Sequence, residues 1–519
     1  MVTKHKRERR IGSCAGLLAG GAMLAGCTVG PDFVAPKPTA PVDWSSQNGR
    51  LAPAGAASLL TAQPTPIAWW DSFGDPELSA LERRVAAQNF DVRTATARLA
   101  ESRAQLRITN ADAYPMLSAG GGYTRQQISS KLIQRGLTDN LPDQVGSTSL
   151  SGFKGEAGSI QVPPIDLFKD SVDASWELDL WGRVRRGSEA AQATLEASED
   201  DRRGALVSAL GEVARDYMTL RGLQAQLALQ QTNLQTAQGS LTIAQQRYQG
   251  GLASELDPAN AQAQVQITAA RVPQLKAQID GQVNALSLLL GEAPQALAAE
   301  LDTPRPVPSV PPAVPVGLPS TLAARRPDIR AAERQLHAAT AQIGVAVANF
   351  YPQVTLSGSV GTMALSLRDL PFWSAAAYSF GPQITIPLFQ GGKLRGQLDL
   401  RRAQQVEAAI NYQKTVLSAF HDVSNAMTSY QAEQVRRASI AASVNAAQTA
   451  MRLAAEQYRG GLVTFLDVLN AERTLLDNQQ QLADSDTTLN NDLVAIYNAL
   501  GGGWQTNFPA SQTVKTAQR

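Results

Sequence analysis

Residues 171–180 read SVDASWELDL, with an apolar side chain at every second position. A period of two with one apolar face is typical of a strand that is buried on one side only. Two similar segments follow in the second half, QVTLSGSV at 353–360 and YSFGPQITIPL at 378–388, and residues 115–124 form a weaker one. The sequence therefore predicts four strands with the length and alternation of outer-membrane barrel strands. An ordinary sandwich strand is the alternative interpretation of the pattern.

Four strands do not close a barrel, and an open sheet edge in lipid leaves backbone N–H and C=O groups unpaired. Identical copies must therefore complete the sheet. Two copies give eight strands, whose interior is filled by side chains, whereas three give twelve and enclose a water-filled passage. We expect an α+β membrane protein in which a homotrimer forms a 12-stranded β-barrel, with four strands from each chain.

Two long helices are predicted next to the strands. No proline interrupts the chain from about Arg183 to Tyr248, or from about Lys393 to Tyr458. Each run has about 66 residues and would be about 100 Å long as a helix. The two runs are rich in Ala and Gln, which suits close-packed helices around a wet interior. We expect long coiled helices packed around a wet interior, and the family resemblance described below implies that they form a periplasmic α-helical barrel that continues the β-barrel. A soluble helical bundle is the alternative, but it leaves the four strands unexplained.

The chain contains two internal repeats. The segment YQGGLASELD at 248–257 returns as YRGGLVTFLD at 458–467, 210 residues further on, and DVR at 91–93 returns as DIR at 328–330, 237 residues further on. We expect a signal peptide at 1–26, an acylated extended segment at 27–68, the first repeat at 69–301, a Pro-rich linker at 302–319, the second repeat at 320–504 and a flexible tail at 505–519. The first repeat is predicted as helix 77–112, β-hairpin 114–181 with a surface loop at 126–170, long helix 183–249, tip turn 250–255 and helix 256–290. The second is predicted as helix 320–349, β-hairpin 351–390, long helix 393–459, tip turn 460–466 and helix 467–499.

The N-terminus has the layout of a secretory signal: a basic start followed by a short apolar run from Ile11 to Ala25. The sequence LAGC at 24–27 resembles the bacterial lipobox, which implies that residues 1–26 are removed and that Cys27 carries the lipid (palmitate) anchor. In bacterial lipoproteins the residue after the cysteine influences sorting, and Thr28 in place of Asp favours the outer membrane. An ordinary secreted start is the alternative.

Composition argues against several classes of function. The 46 basic residues balance 45 acidic ones, which gives no electrostatic footprint for nucleic acid. Three histidines and two cysteines leave little material for metal binding or general-base catalysis. The sequence also lacks a G-x-S-x-G or H-E-x-x-H motif. We therefore expect no enzyme activity, no cofactor and no metal site. A passive conduit is the preferred function, and a non-conducting adhesive surface lipoprotein is the alternative.

Several motifs resemble the TolC superfamily of outer-membrane channels and, within it, the NodT/OprM-type lipoprotein branch. They are CTVGPDFVAP at 27–36, WWDSFGDPEL at 69–78, GLPSTLAARRPDI at 317–329 and ALGGGW at 499–504. The resemblance implies the outer-membrane exit channel of a tripartite efflux pump, in contact with outer-membrane lipid, docked to a periplasmic membrane-fusion adaptor and an inner-membrane transporter of the resistance-nodulation-division type. The resemblance further implies drugs or other small toxic compounds as the cargo, which the upstream partners of the channel select.

The resemblance also gives meaning to the repeated turns. It implies that the tips contact the adaptor, through Gly251, Leu252, Ala253 and Ser254 and through Gly461, Leu462, Val463 and Thr464. It further implies a gate that narrows the resting entrance, formed by Asp257, Tyr458, Asp467 and Asn470. Val463 stands where some members have a gating Arg, and Asn470 stands where some members have a second carboxylate. Plain turns and helix caps are the alternative interpretation.

Overall fold

The computed structural model describes residues 28–37, 44, 58–127 and 164–508. The predicted signal peptide and Cys27 lie outside the described residues. In chain order the strands are β1 (Leu59–Thr61), β2 (Met116–Gln126), β3 (Ile165–Leu178), β4 (Ala313–Pro315), β5 (Gln353–Ala364) and β6 (Ala376–Thr385). The α-helices are α1 (Pro76–Gln88), α2 (Phe90–Ala111), α3 (Arg183–Gln249), α4 (Leu256–Leu289), α5 (Ala298–Leu301), α6 (Leu322–Arg325), α7 (Pro327–Ala348), α8 (Lys393–Arg459) and α9 (Phe465–Ala499). The predicted α+β class is confirmed.

The chain divides into two compact units, and each unit contains parts of both repeats. The first consists of Met1–Phe33, Gln105–Ala191 and Thr340–Ala403, and the second of Val34–Ala104, Gln192–Ala339 and Gln404–Arg519. The repeats seen in the sequence are therefore not the compact units of the fold. Among the described residues, no helix has the length and apolar character needed to cross a membrane.

One antiparallel sheet forms the centre of the first unit. Its strand order is β2-β3-β5-β6, so the β-hairpin of the first repeat (β2 and β3) lies beside the β-hairpin of the second (β5 and β6). The junction between the repeats is the pairing of β3 with β5, in which Trp176 lies opposite Leu356 and Val172 opposite Val360. Within the described residues, β2 and β6 each pair on one side, and they form the two edges of the sheet.

The strand boundaries differ from those predicted. β3 begins at Ile165, inside the expected loop, because Ile165 and Asp166 pair with Gln126 and Arg125 of β2. It ends at Leu178 and excludes Leu180. The Asp179 side chain accepts hydrogen bonds from the backbone N–H groups of Val184 (3.2 Å) and Arg185 (2.9 Å), which turns the chain into α3. β6 ends at Thr385, so Ile386 and Leu388 lie outside it; Pro387 has no N–H to donate to a ladder.

The helix predicted at 77–112 is two helices, α1 and α2, separated at Asn89. The backbone of Asn89 leaves the helical region with ψ 131°, and its side chain caps α2 by accepting hydrogen bonds from Asp91 N–H (2.9 Å) and Val92 N–H (3.1 Å). The helix predicted at 320–349 is likewise divided into α6 and α7, at Arg326, whose backbone is extended (ψ 120°). Pro327 explains that second break, since the residue before a proline is disfavoured in the helical region.

The core of the second unit joins the start of the first repeat, the middle of α3 and the end of the second repeat. Trp69, Trp70 and Phe73 are buried together with Leu210, Tyr497 and Trp504, and the Trp69 ring stacks on Tyr497 at 5.3 Å. β1 and β4 form a short parallel pair in segments that were expected to be extended. The predicted flexible tail starts too early, because the Arg202 guanidinium lies 4.0 Å from the ring centroid of Phe508.

Candidate functional site

The two tip turns have the same backbone structure. Gly251 and Gly461 adopt φ of 72° and 75°, values that favour glycine. In the first turn Leu252 N–H donates to Arg247 C=O (2.8 Å) and Gly251 N–H donates to Tyr248 C=O (2.9 Å). The second turn repeats both bonds, from Leu462 to Gln457 (2.9 Å) and from Gly461 to Tyr458 (3.0 Å). This pair of bonds is the Schellman motif, which satisfies the last carbonyls of a helix.

The side chains of the predicted tip set differ in exposure. Leu252 is 71% exposed and Leu462 is 79% exposed, and each is the largest apolar side chain of its turn. Ala253 and Val463 are half-buried. Ser254 and Thr464 lie at the starts of the returning helices α4 and α9. Ser254 Oγ accepts a hydrogen bond from Leu256 N–H (3.2 Å), and Thr464 is the N-cap of α9. The tips therefore present two leucines on short, conformationally fixed turns.

Two of the four predicted gate residues are brought together. Tyr458, near the end of α8, donates a hydrogen bond from its hydroxyl to Asp257 Oδ2 at the start of α4 (3.0 Å). The tyrosine is 4% exposed, and its ring lies 5.5 Å from that of Phe465. Burial, and then the hydrogen bond to Asp257, raise the pKa of Tyr458 to about 12, so the hydroxyl keeps its proton. This bond joins the first helical hairpin (α3 and α4) to the second (α8 and α9).

An arginine that the sequence analysis did not single out completes this contact. Arg247, at the end of α3, donates from Nη1 to the backbone carbonyls of Tyr458 (2.5 Å) and Arg459 (3.0 Å). Its guanidinium carbon lies 4.7 Å from the centroid of the Tyr458 ring. A cation near the C-terminal carbonyls of a helix is favourable. A comparison of the repeats would have pointed to it, because Arg247 precedes Tyr248 whereas the neutral Gln457 precedes Tyr458.

The other two predicted gate residues lie apart from this link. Asp467 is exposed and forms a capping box, in which its Oδ2 accepts hydrogen bonds from Thr464 N–H (2.9 Å) and Thr464 Oγ1–H (2.7 Å). The Thr464 hydroxyl, and then its backbone N–H, lower the pKa of Asp467. Asn470 is exposed, and its backbone carbonyl accepts a hydrogen bond from Thr474 (2.9 Å). Within one chain these two side chains contribute nothing to the Tyr458–Asp257 contact.

The beginning of the described chain is attached to the end of the sheet. Cys27 is outside the described residues, but Val29 N–H donates to Trp181 C=O (3.1 Å). Asp32 pairs with Arg186 at 2.5 Å, and that arginine side chain is 5% exposed. Trp181 stacks on Tyr351 at 4.8 Å, just before β5 begins. Among the described residues, no group of three or more His, Cys, Asp or Glu side chains is arranged to hold a metal ion.

Comparison with known proteins gives consistent results. The family model described as "Outer membrane efflux protein" matches residues 81–292 and 318–502. The antibiotic efflux pump outer membrane protein ArpC of Pseudomonas putida is 32% identical over 93% of this chain and 94% of its own. Nodulation protein T of Rhizobium leguminosarum bv. trifolii is 30% identical over 89% of this chain and 91% of its own. The solved structure of the outer-membrane channel OprN is 33% identical, covers 92% of this chain and 100% of its own, and has a TM-score of 0.80.

Proposed function

The chain belongs to the outer membrane efflux protein family, and from that premise we propose that its entrance is held closed at rest by the link between Tyr458 and Asp257. The protein is an outer-membrane efflux channel and not an enzyme. Channels of this family are trimers that work with an adaptor and an inner-membrane transporter in tripartite systems. The energy for transport thus comes from the partner complex, and the channel conducts passively.

The burial of Tyr458 carries the gate proposal. A hydrogen bond between exposed side chains contributes little, whereas Tyr458 is 4% exposed and is held by Asp257 at one end and by the Arg247 guanidinium on its face. The link joins two helical hairpins at their turns, so breaking it loosens one hairpin from the other, while the bonds of Arg247 to the carbonyls of Tyr458 and Arg459 remain. Asp467 and Asn470 are proposed as entrance-lining residues. Three Asp467 carboxylates around one axis would repel anions and favour cations.

Conductance in planar bilayers tests the gate. The double variant Asp257→Ala with Tyr458→Phe should raise single-channel conductance, because the hydroxyl donor and the carboxylate acceptor are both lost. A substitution of Tyr248, for example Tyr248→Ser, would not be a valid control, because Tyr248 also lies beside a tip turn. Thr449→Ala, on the exposed face of α8, is a matched control. An unchanged conductance of the double variant would exclude these two residues from the gate, and the family assignment would stand.

We also propose that the mature chain begins at an acylated Cys27, with the acyl groups in the outer membrane. The support is the attachment of Val29 to Trp181, three residues after β3 ends. A lipid on a residue two positions before Val29 would lie at this end of the sheet, beside the stacked Trp181 and Tyr351. Aromatic rings of this kind are enriched at membrane interfaces. Metabolic labelling with a palmitate analogue should mark the wild type and not Cys27→Ser.

The exposed leucines of the tips are proposed as the contacts of the periplasmic adaptor, in a pump whose inner-membrane transporter is of the resistance-nodulation-division type. ArpC is described as part of an antibiotic efflux pump, and this description supports small toxic compounds as the cargo. The paired change Leu252→Asp with Leu462→Asp should abolish resistance in cells, because a charge cannot be buried against the adaptor without a partner. The purified trimer should keep its conductance. Loss of both properties would point to misfolding, and loss of neither would exclude the leucines as contacts.

A further inference from the structure

The two repeats carry the same tip residues but use them differently. Tyr248 and Tyr458 occupy equivalent positions, as do Asp257 and Asp467, and both tip turns have the same hydrogen bonds. Within the part of the chain that the structure describes, Tyr458 bonds Asp257, whereas Tyr248 is 45% exposed at the surface. Tyr458 and Asp257 are therefore hydrogen-bonded to each other within the chain. Their counterparts, Tyr248 and Asp467 (hereafter the open pair), are not bonded to each other among the described residues.

The side chains of the open pair are available for a contact. Asp467 is exposed, and both of its hydrogen bonds with Thr464 end on Oδ2, so Oδ1 can still accept a hydrogen bond. The hydroxyl of an exposed tyrosine is a donor.

Assembly of three chains into a ring places a further helical hairpin beside Tyr248 and beside Asp467. One chain has a single junction between its first and second hairpins, formed by Asp257 on the first and Tyr458 on the second. A ring of three chains has a second kind of junction, between the second hairpin of one subunit and the first hairpin of the next. We infer that Tyr248 donates a hydrogen bond to Asp467 of the partner subunit, so that the second junction repeats the first. This inference rests on the proposed trimeric gate.

Small side chains at the equivalent positions allow the same close approach. Ala244 and Ala261 of the first hairpin are buried against Tyr458 and Phe465 in the internal junction. Their counterparts in the second hairpin are Ala454 and Ala471, which are alanines as well and are half-buried in the single chain, although Ala454 also packs against the internal cluster. A tyrosine of the partner subunit would therefore meet small side chains at the same two positions.

The two junctions differ in the residue that precedes the tyrosine. Arg247 clamps the internal junction through the carbonyls of Tyr458 and Arg459, and its counterpart beside the second junction is the neutral Gln457. Charge-assisted hydrogen bonds are about twice as strong as neutral ones. The junction between subunits is therefore the weaker one, and the entrance opens there first.

Crosslinking between subunits tests whether residue 248 lies next to residue 467 of the neighbouring subunit, and it does not require a conductance measurement. The variant Tyr248→Cys with Asp467→Cys, in a Cys27-acylated background with no other thiol in the mature sequence, is treated with a short bis-methanethiosulfonate. Linked dimers and trimers are expected on a non-reducing denaturing gel. The matched pair Asp257→Cys with Tyr458→Cys should react within one chain and remain at monomer mass. If the 248/467 pair also stays at monomer mass, the inference is overturned.

Conductance provides an independent arm. Gln457→Arg installs the missing clamp and should reduce the open fraction of the resting channel about fivefold, the effect of one added hydrogen bond. Gln457→Glu, of similar size, should not reduce it. If Gln457→Arg leaves the open fraction unchanged, the clamp argument fails. A failed gate would instead show as unchanged conductance in Asp257→Ala with Tyr458→Phe, whether or not the crosslink forms, so the two failures are distinguishable.

Discussion

Asn89 and Arg326 perform the same task at equivalent positions of the two repeats. Asn89 Nδ2 donates to the carbonyl of Leu289 (2.9 Å), and Arg326 Nη1 donates to the carbonyl of Ala499 (3.0 Å). Leu289 and Ala499 are the last residues of α4 and α9. At each site a helix break supplies a side-chain donor to the exposed carbonyl end of the returning helix. The repeat symmetry therefore extends to the capping of helix ends, with different residues in the two halves.

Replacement of Asn89 by Ala should destabilise the protein by about 1–3 kcal/mol, because α2 loses its N-cap and the Leu289 carbonyl loses a buried donor. Thermal unfolding followed by circular dichroism measures the change. Arg83→Ala, at an exposed position of α1, is the control and should leave the melting temperature almost unchanged. Equal melting temperatures for the two variants would show that Asn89 contributes no cap.

Two glycines of α3 should respond to the same substitution with opposite signs. A Cβ on Gly222 would clash with Thr487 Oγ1, whereas a Cβ on Gly239 would meet nothing within 4 Å. Gly222→Ala should therefore cost about 1–3 kcal/mol through overpacking. Gly239→Ala should add up to about 1 kcal/mol, because alanine loses less backbone entropy in a helix. The difference in melting temperature between the two variants is the measurement, and equal shifts would contradict the close contact of α3 with α9.

Glu82 should make stability depend on pH. Its side chain is fully buried, both carboxylate oxygens lack a hydrogen-bond partner among the described residues, and burial raises its pKa well above the ordinary value. Above about pH 4.3 the unfolded chain releases this proton while the folded chain keeps it, so stability falls as pH rises toward the folded-state pKa. Glu82→Gln does not titrate, and its advantage in melting temperature over the wild type should be small at pH 4 and grow toward pH 8.

The control for this pH series is Glu101→Gln, which changes an exposed carboxylate on α2. Its melting temperature should follow that of the wild type at every pH. A constant difference between Glu82→Gln and the wild type across the series would mean that Glu82 is charged when folded.

Removal of the Arg247 side chain should loosen the internal junction. Arg247→Gln loses the charge that lies over the Tyr458 ring and that bonds the last carbonyls of α8. We expect more frequent openings of single channels, while Arg247→Lys should restore part of the closed fraction, because a lysine keeps the charge without the planar fork. Arg452→Gln, which changes an exposed arginine paired with Glu456 on the same helix, is the control. Identical opening frequencies for Arg247→Gln and Arg452→Gln would exclude a clamp.

Local signals predicted the parts of the fold that depend on local physics. The alternation of Val172, Trp176 and Leu178 with polar residues indicated a strand because each side chain faces one side or the other of a sheet. The paired glycines at 250–251 and 460–461 indicated helix ends, since Gly251 and Gly461 adopt a left-handed backbone. The contact of Tyr458 with Asp257 came from the family resemblance.

The features that were missed depend on distant partners. Asn89 is a residue type that favours N-caps, but it stands in an otherwise continuous helical pattern, and its second bond is to the carbonyl of Leu289, 200 residues away in sequence. β1 is three residues long and exists through its pairing with β4. Arg221 is fully buried against Glu77 at 2.7 Å, and an arginine in a long helix gives no sign in the sequence that its partner lies in another helix.

The order β2-β3-β5-β6 has a consequence for biogenesis. The central pairing of the sheet, β3 with β5, unites strands that are separated in the chain by five complete α-helices, α3 to α7. Contacts between such remote segments form slowly, because a long loop must close first. During secretion, the β-hairpin of the first repeat (β2 and β3) emerges first, and β3 is then unpaired on one side. It stays unpaired there until the second repeat has crossed the inner membrane. Unpaired apolar strands are prone to aggregation, so we expect the chain to need protection by chaperones during this interval.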